Sequence, residues 1–283
     1  MTNRILFAGM PNSGKSTYIA ALRFILVANE AECALKIDGL SNDERHLNEL
    51  ETDWANGQEV KRTQTAKETW VEIKVKETAT GKAVILSLPD LKGESFEQPA
   101  TIGHLSDDLH AELSKANGLM VFINAGRPDD KLMITDLADL VGSEDAQIEQ
   151  PTAKRFDPLE MPEEVKIVEL LQFANRRPLV PRKRMLVIIA SAWDVLSEAR
   201  QKDPDGWLEA DCSMLAQFLR HNSDLWETRV YGVSAQGGEL PKDRDRLMNI
   251  SKPSERVKII GHGANKHDLT APLQWLISGS API

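Results

Sequence analysis

Cysteine is scarce in this sequence, whose 283 residues include only Cys33 and Cys212. Two thiols are too few for a disulfide framework or a cysteine-based metal site, which fits a reducing compartment. Long apolar runs are missing as well, since none approaches the roughly 20 residues that a membrane span requires. The opening MTNRILFAGM also has too short an apolar run for a signal peptide. We therefore expect a cytoplasmic protein without stable membrane insertion.

Positive charge is in deficit, because 34 Lys and Arg stand against 43 Asp and Glu and leave a net charge of -9. A surface that binds the phosphates of nucleic acid needs clustered Lys and Arg. No nucleic-acid partner is therefore expected. The remaining composition, with 41% hydrophobic and 27% charged residues, is that of an ordinary globular protein.

What the sequence does contain is a series of short apolar runs separated by longer helical patterns. This alternation is typical of repeated strand-helix-strand units, and near-continuous apolar runs indicate parallel strands covered on both faces. We predict an α/β fold with helices on both faces of a mostly parallel six-stranded sheet that has one antiparallel edge strand. Strands are predicted at residues 4–8, 70–76, 83–88, 118–124, 185–190 and 229–233, and helices at 15–28, 41–54, 132–140, 163–174 and 272–277.

The whole chain, residues 1–283, is expected to form a single domain with two insertions. The first lies at about 127–183, where a plain helical crossover needs far fewer residues. Its helix at 163–174 is apolar enough to pack on the sheet, and the alternative is a surface for partner docking. The second insertion lies at about 236–268 and contains a short predicted strand in RVKIIG.

Residues 9–16 read GMPNSGKS, which fits the pattern Gly, four residues, Gly-Lys-Ser. A predicted strand precedes this segment and an amphipathic helix follows it, as in loops that wrap backbone N–H groups around nucleotide phosphates. Lys15 is expected to neutralise the β- and γ-phosphates, and the Ser16 hydroxyl to bind Mg²⁺. The nucleotide-binding residues predicted in this loop are Asn12, Ser13, Gly14, Lys15, Ser16 and Thr17.

Two further segments carry groups suited to Mg²⁺ and the γ-phosphate. Asp90 and Gly93 form an Asp-x-x-Gly after a predicted strand. Asp90 is expected to hold Mg²⁺ through water, and the Gly93 N–H to sense the γ-phosphate. Before the second predicted strand, Thr63 and Thr65 are alternative candidates for a threonine that closes on Mg²⁺.

Two later strand ends offer groups for a base. Asp194 ends the segment Ser-Ala-Trp-Asp, and its carboxylate is suited to accept hydrogen bonds from guanine N1 and N2. The alternative role for Asp194 is that of a helix N-cap, and Trp193 belongs either to the base site or to the core. Ser234 and Ala235 follow another strand, where a backbone N–H would meet guanine O6.

The order of these elements resembles that of guanine-nucleotide-binding proteins of the Ras-like, translation-factor-related (TRAFAC) class, over nearly the whole chain. It also resembles the bacterial double-GTPase-type families of conflict or signalling operons in Trp54 with Gly57 ahead of the threonine, in large insertions and in the closing APLQWLI. The resemblance implies a three-layer P-loop NTPase fold of the Ras-like G domain type, with Mg²⁺ and GTP or GDP as cofactors. It further implies regulatory or effector proteins encoded nearby as partners, and a nucleotide-dependent dimer.

Three positions bear on the activity that this resemblance implies. Ala192 stands where the family motif Asn-Lys-x-Asp has a Lys whose stem stacks on the base, which leaves guanine against adenine open. Glu94 stands where Ras-like proteins have a Gln that orients the attacking water, and charge repulsion beside a triphosphate predicts slow turnover. Arg62 precedes Thr65 by three residues, a spacing that resembles the built-in arginine finger of heterotrimeric G-protein α subunits. The alternative for Arg62 is a solvated loop residue, and the spacing is lost if Thr63 is the ligand.

The resemblance therefore implies a molecular switch that hydrolyses GTP slowly to GDP and phosphate with Mg²⁺ and changes its partner binding. The catalytic residues would be Lys15, Arg62, Gly93 and Glu94. One alternative is a nucleotide-binding scaffold, or pseudo-GTPase, without turnover. Another is an ATP-using enzyme on a similar phosphate-loop scaffold, which the absent Lys favours.

Overall fold

The computed structural model describes residues 3–60, 70–89, 93–126 and 157–279. Within these residues, eight strands form one sheet in the order β2-β3-β4-β1-β5-β6-β7-β8. The strands are β1 (Asn3–Gly9), β2 (Leu35–Ile37), β3 (Trp70–Glu77), β4 (Ala83–Pro89), β5 (Gly118–Asn124), β6 (Arg184–Ser191), β7 (Trp226–Ser234) and β8 (Lys258–Ile260).

The centre of the sheet is parallel and both of its edges are antiparallel. Strands β4, β1, β5, β6 and β7 run parallel, whereas β3 pairs antiparallel with β4, β2 with β3, and β8 with β7. The predicted α/β class is confirmed, but the count of six strands with one antiparallel edge strand was wrong. The three-residue β2 lies outside β3, which is therefore not an edge strand, and a segment this short has no clear alternation of apolar and polar residues.

Helices cover both faces of this sheet. Strands β1, β5, β6 and β7 each contribute side chains to two hydrophobic clusters, so that Ile5 and Phe7 of β1 belong to one and Leu6 and Ala8 to the other. The helices are α1 (Lys15–Ala28), α2 (Glu44–Ala55), α3 (Gln98–Ile102), α4 (Asp107–Lys115), α5 (Glu163–Ala174), α6 (Pro204–Asp211), α7 (Ser213–His221), α8 (Arg244–Met248) and α9 (Ala271–Ser278).

Each cluster has its own set of helices. The first is completed by α1, α2 and α9, and the second by α4, α5, α6 and α7. Helix α5 occupies the predicted residues and buries Ile167, Leu170 and Leu171 completely, so it is a core helix rather than a docking surface. None of the helices in the described part of the chain is long and apolar enough to cross a membrane.

The two predicted insertions differ in how much of them can be placed. Residues 127–156 of the first, including the predicted helix at 132–140, lie outside the described residues. At its end, Arg184 is buried and donates to the carbonyl oxygens of Ala174 and Leu113, so this cation serves the packing of β6. The second insertion contains α8, a 3₁₀ turn at Pro253–Arg256 and the predicted strand β8.

The parallel arrangement determines where a site can form. The carboxyl ends of β1, β5, β6 and β7 all reach the same edge of the sheet, so the segments that follow these strands meet there. These segments include the GMPNSGKS loop and both candidate base-binding turns. The fold therefore brings together groups that are separated by more than two hundred residues in the sequence.

Candidate functional site

A cleft of about 400 Å³ opens at this carboxyl edge. Its floor is the loop between β1 and α1, and its walls come from the ends of β5, β6 and β7 and from the chain beyond α2. The lining residues are Pro11, Asn12, Ser13, Gly14, Lys15, Ser16, Thr17, Val60, Asn124, Ser191, Ala192, Asp194, Val195, Ala235, Gln236, Gly238 and Glu239.

The loop approaches its neighbours too closely for a side chain at Gly14. This residue has φ +83°, and a Cβ added there would lie 2.5 Å from Ser191 Oγ. Gly14 is also the N-cap of α1, and no side chain caps that end. Because the first turn of α1 contains no acidic residue, no carboxylate in that turn opposes the positive end of the helix dipole at the cleft. This geometry fits the phosphates of a nucleotide.

Lys15 adds a positive charge to the same end of the cleft. Its side chain is buried, its Nζ donates to the Gly9 carbonyl oxygen over 3.0 Å, and it lies 5.7 Å from the centre of the Phe96 ring. The ammonium is thus held against the start of the loop rather than extended into solvent. A charge held in this way is positioned for a phosphate without further ordering of a flexible side chain.

Two neighbouring strands brace the phosphate loop from below. The Ser191 hydroxyl at the end of β6 donates to the Ser13 carbonyl oxygen over 2.7 Å, and Asn124 Nδ2 at the end of β5 donates to the Asn12 carbonyl oxygen over 3.2 Å. These bonds fix two of the loop's carbonyl oxygens against the ends of β6 and β5. The sequence interpretation did not assign either role.

Trp193 and Asp194, in the segment after β6, lie in different environments. Ala192 has φ +51° and is the N-cap of a 3₁₀ turn at Trp193–Val195, so the alternative that Asp194 is an N-cap was wrong. Trp193 is buried, donates from its indole to the Gln201 carbonyl oxygen and meets the Trp207 ring edge-on at 5.7 Å. It is therefore a core residue, whereas Asp194 lines the cleft.

The segment after β7 presents backbone to the cleft. Ser234 is buried and its hydroxyl accepts from the Gly237 N–H over 3.2 Å, which stabilises the turn. Ala235 and Gln236 line the cleft directly. The Ala235 carbonyl oxygen accepts a 2.9 Å hydrogen bond from the indole N–H of Trp54, at the end of α2.

The segments predicted to bind the phosphates and the base thus line one cleft. Comparison with known proteins identifies the family. Residues 6–276 match the family model described as Double-GTPase 1. The chain belongs to the Double-GTPase 1 family. The predicted resemblance to double-GTPase-type proteins is confirmed, and the family assignment makes the chain a G domain that binds guanine nucleotide.

Solved structures similar to this Double-GTPase 1 domain are distant. The signal recognition particle receptor SRb-GTP/SRX complex from Chaetomium thermophilum is 13% identical over 88% of this chain and 96% of that chain, with a TM-score of 0.39. The Ski7 GTPase-like domain from S. cerevisiae, bound to GDP and inorganic phosphate, is 13% identical over 90% and 52%, with a TM-score of 0.40. No curated protein sequence matches the chain.

The residues predicted for the phosphate side of this Double-GTPase 1 domain differ in where they lie. Asn12, Ser13, Gly14, Lys15, Ser16 and Thr17 all line the cleft. Gly93 begins a 3₁₀ turn at Gly93–Phe96, and Glu94 is exposed on that turn and is not a lining residue. The predicted catalytic and metal-binding residues Arg62, Thr63, Thr65 and Asp90 lie outside the described residues.

Several lining residues were missed because their contribution depends on tertiary structure. Val195 is 59% exposed and lies beside Asp194 in the cleft, and Val60 enters the cleft from the chain beyond α2. A valine after Ser-Ala-Trp-Asp carries no motif signal. By contrast, Asn124 and Ser191 could have been suspected, because each is the polar residue that ends a buried strand at the site edge.

Proposed function

We propose that this Double-GTPase 1 domain is a Mg²⁺-dependent switch that hydrolyses GTP slowly to GDP and phosphate and changes its partner binding in response. The observation that carries the proposal is the shared cleft. An uncapped helix N-terminus with Lys15 forms one end, and Asp194 and the Ala235 backbone form the other. A ligand that fits both ends has phosphates and a base with donors and acceptors on one edge.

For the base, the side chain of Asp194 and the backbone of Ala235 are complementary to guanine. A carboxylate accepts from N1–H and the N2 amino group, and a backbone N–H donates to O6, whereas adenine reverses the donor and acceptor at the corresponding edge. The stem of the missing Lys is replaced by the exposed apolar side chain of Val195, which offers a surface on which the base packs. These contacts favour guanine over adenine.

For Mg²⁺, the chain offers oxygen ligands, the type that this ion prefers. The Ser16 hydroxyl lines the cleft at the start of α1, and we propose Asp90 and either Thr63 or Thr65 as the further ligands. Bound Mg²⁺ neutralises negative charge on the β- and γ-phosphate oxygens. Among the described residues, no group of three or more His, Cys, Asp and Glu side chains could hold a metal ion.

Slow turnover follows from Glu94. This carboxylate is exposed on the Gly93–Phe96 turn and is not among the residues that line the cleft, and its approach to a triphosphate would bring like charges together. We propose that Arg62 compensates in part by stabilising charge on the transferring phosphoryl group. The position of Glu94 equally favours the second candidate function, a scaffold that binds nucleotide without turnover.

The Gly93–Phe96 turn is connected by side-chain contacts to the first insertion. The Gly93 N–H is the proposed γ-phosphate sensor, and Glu97, just beyond the turn, forms a 2.6 Å ion pair with Lys166 of α5. Lys166 also donates to the Leu159 carbonyl oxygen over 2.9 Å, in the last part of the insertion. A shift of the turn would therefore move the surface around Leu159, where we propose that regulatory or effector proteins, or a second copy of the chain, bind.

A competition titration tests nucleotide choice. Labelled GDP bound to the protein is displaced with unlabelled GTP or ATP, with and without Mg²⁺. We expect GTP to compete at least tenfold better than ATP, and more strongly with Mg²⁺, while Lys15→Ala loses binding of both. Equal competition by ATP would contradict the guanine assignment and favour the ATP-using alternative.

Product analysis separates the switch from the scaffold. Single-turnover reactions followed over hours should convert GTP to GDP in the wild type but not in Lys15→Ala. The rate should fall in Arg62→Ala at saturating nucleotide, and an unchanged rate would remove Arg62 from the mechanism. Absence of product in the wild type would leave the scaffold as the function.

A further inference from the structure

We propose that Trp54 is a positioning residue for base recognition, and that its indole N–H holds the Ala235 turn in the orientation that reads the base. The inference rests on the proposed function, since it concerns the same cleft. Trp54 itself does not line the cleft. It acts on the base only through the backbone of Ala235, 181 residues away in the sequence.

The hydrogen bond is well placed for this role. Trp54 Nε1 lies 2.9 Å from the Ala235 carbonyl oxygen, and both groups are buried. Holding this carbonyl fixes the peptide plane after Ala235 and thereby limits rotation of the residue whose own N–H is directed at the base. A buried carbonyl that lost this donor would turn toward other partners, because an unpaired buried acceptor is unfavourable.

The indole is itself held from two sides. The Phe24 ring packs against the Trp54 ring, with 5.1 Å between the ring centres. The Arg256 guanidinium makes a second contact, 5.5 Å from the centre of the Trp54 ring. Arg256 is buried and donates to the carbonyl oxygens of Ala55 over 3.0 Å and of Trp54 over 3.4 Å. The indole N–H therefore has little freedom to leave Ala235.

The second insertion completes the clamp around the turn. Gly237 has φ +81°, and a Cβ at this position would lie 2.5 Å from the Arg256 carbonyl oxygen. The turn after β7 is thus held between the Trp54 indole on one side and the Arg256 backbone on the other. Base recognition in this chain depends on α2 and on the second insertion, and neither belongs to the strands that build the cleft.

The same residue starts the chain segment that leads to the candidate metal threonines. The Gly57 N–H donates to the Trp54 carbonyl oxygen over 3.1 Å, and three residues later Val60 lines the cleft. Residues 61–69, with Thr63 and Thr65, follow directly. Trp54 thus bonds both to the Ala235 turn and to Gly57, at the start of the chain that lines the cleft at Val60.

Substitution with Phe separates positioning from simple packing, because Phe keeps an aromatic ring and removes the N–H. We compare the Kd values of GDP, ADP and inorganic pyrophosphate for the wild type and Trp54→Phe by calorimetry. Positioning predicts that the GDP-over-ADP preference falls at least fivefold, while pyrophosphate affinity changes less than twofold. A purely structural role would lower the melting temperature and leave the preference unchanged, and that result would overturn the inference.

Trp226→Phe is the matched control. Trp226 is equally buried, begins β7 at the end opposite Ser234, and its indole N–H has no hydrogen-bond partner among the described residues. It should keep the full GDP-over-ADP preference. A wild type that binds GDP and ADP equally would overturn the proposed function itself, whereas a preference that survives in Trp54→Phe overturns only the role of Trp54.

A measurement on the wild type covers the case in which Trp54→Phe does not fold. The protein has six tryptophans, and Phe substitutions at the other five assign the Trp54 indole signal in ¹⁵N spectra by elimination. Saturating GDP should shift this signal clearly more than pyrophosphate does, because pyrophosphate fills the phosphate end and has no base. Equal shifts with both ligands, or no shift with GDP, would contradict the proposal.

Discussion

Gly14 shows how much of the site depends on the absence of one atom. Its φ of +83° is strained for any residue with a Cβ, and that Cβ would meet Ser191 Oγ at 2.5 Å. The Ser191 hydroxyl would have to leave the Ser13 carbonyl oxygen, so the damage would spread to the orientation of the whole loop. A glycine here is required by conformation and by space together.

We expect Gly14→Ala to lower stability by about 1–3 kcal/mol through backbone strain and to weaken GDP binding at least a hundredfold. Gly81→Ala is the control, since Gly81 has φ +73° in the β3–β4 hairpin but nothing within 4 Å of an added Cβ. That variant should lose a similar stability and keep GDP affinity. Denaturant unfolding and GDP titration measure the two effects, and normal GDP binding by Gly14→Ala would contradict the steric argument.

Cys33 is only partly buried, yet its thiol is expected to react slowly with alkylating reagents. Burial raises the pKa of its thiol to about 12, and the neighbouring Asp268 carboxylate adds to the rise. Because only the thiolate reacts with alkylating reagents, a rise from 9.0 to about 12 lowers the reactive fraction at pH 8 by roughly a thousandfold.

We therefore expect iodoacetamide at pH 8 to modify Cys33 roughly a thousandfold more slowly in the folded protein than in guanidinium chloride. The rate should rise about tenfold per pH unit up to pH 11, because the thiolate fraction grows in that way below its pKa. Mass spectrometry of the peptide that contains Cys33 measures the rate separately from that of Cys212. A folded-state rate close to the unfolded rate would show that burial does not control this thiol.

Among the elements, α4 is attached to the sheet by a buried carboxylate. Glu112 accepts from the Ser87 hydroxyl of β4 over 2.6 Å and from Arg4 of β1 over 3.1 Å, and Lys115 lies 2.9 Å away on the same helix. Burial alone would raise the pKa of Glu112, but the hydrogen bonds from Ser87 and Lys115 and the Arg4 charge outweigh it, and the pKa is lowered from 4.5. The ionised form is therefore the one that stabilises the fold.

Glu112→Gln should lower the free energy of unfolding at pH 7 by about 1.5–3 kcal/mol, the usual value of hydrogen bonds to a charged group. A lowered folded pKa means that wild-type stability is present above pH 4.5 and is lost as pH falls through the lower folded value. The difference between variant and wild type should therefore shrink below pH 4.5. Glu49→Gln, at an exposed pair with Arg45, should change stability by less than about 0.5 kcal/mol. Urea unfolding at pH 7 and pH 3.5 measures these free energies. If the difference between the wild type and Glu112→Gln were the same at both pH values, the ionic role would be contradicted.

Most elements could be predicted from the sequence because they bury continuous apolar runs. The strand at Gly118–Asn124 and the helices at Lys15–Ala28 and Glu163–Ala174 have the predicted bounds. Strand β2 could not be predicted, because Leu35–Ile37 is too short for a periodic signal and forms by pairing with β3. In the site, the phosphate loop has its own motif, whereas the two bonds that brace it join residues 178 and 112 apart and leave no local pattern.

At the scale of the whole molecule, one nucleotide would contact segments at the ends of four parallel strands. The cleft is lined from β1, β5, β6 and β7, and Trp54 ties α2 to the last of these segments. A ligand that binds only this assembled arrangement stabilises the folded state by mass action, by about 2.7 kcal/mol at a hundredfold excess over its Kd. The fold and the site are in this sense one cooperative unit.

GDP at a hundredfold excess over its Kd should therefore raise the melting temperature by about 4–5 °C, as expected for a domain of 283 residues. Pyrophosphate at the same excess over its own, weaker Kd should raise it equally, because the gain depends on saturation and not on the ligand, whereas GDP should act at far lower concentration. Lys15→Ala should show no shift with either ligand at these concentrations, since the charge at the phosphate end is lost. Differential scanning calorimetry over a GDP series measures the dependence. If the melting temperature did not rise with the logarithm of GDP concentration, the four segments of the cleft would not act together as a single nucleotide site.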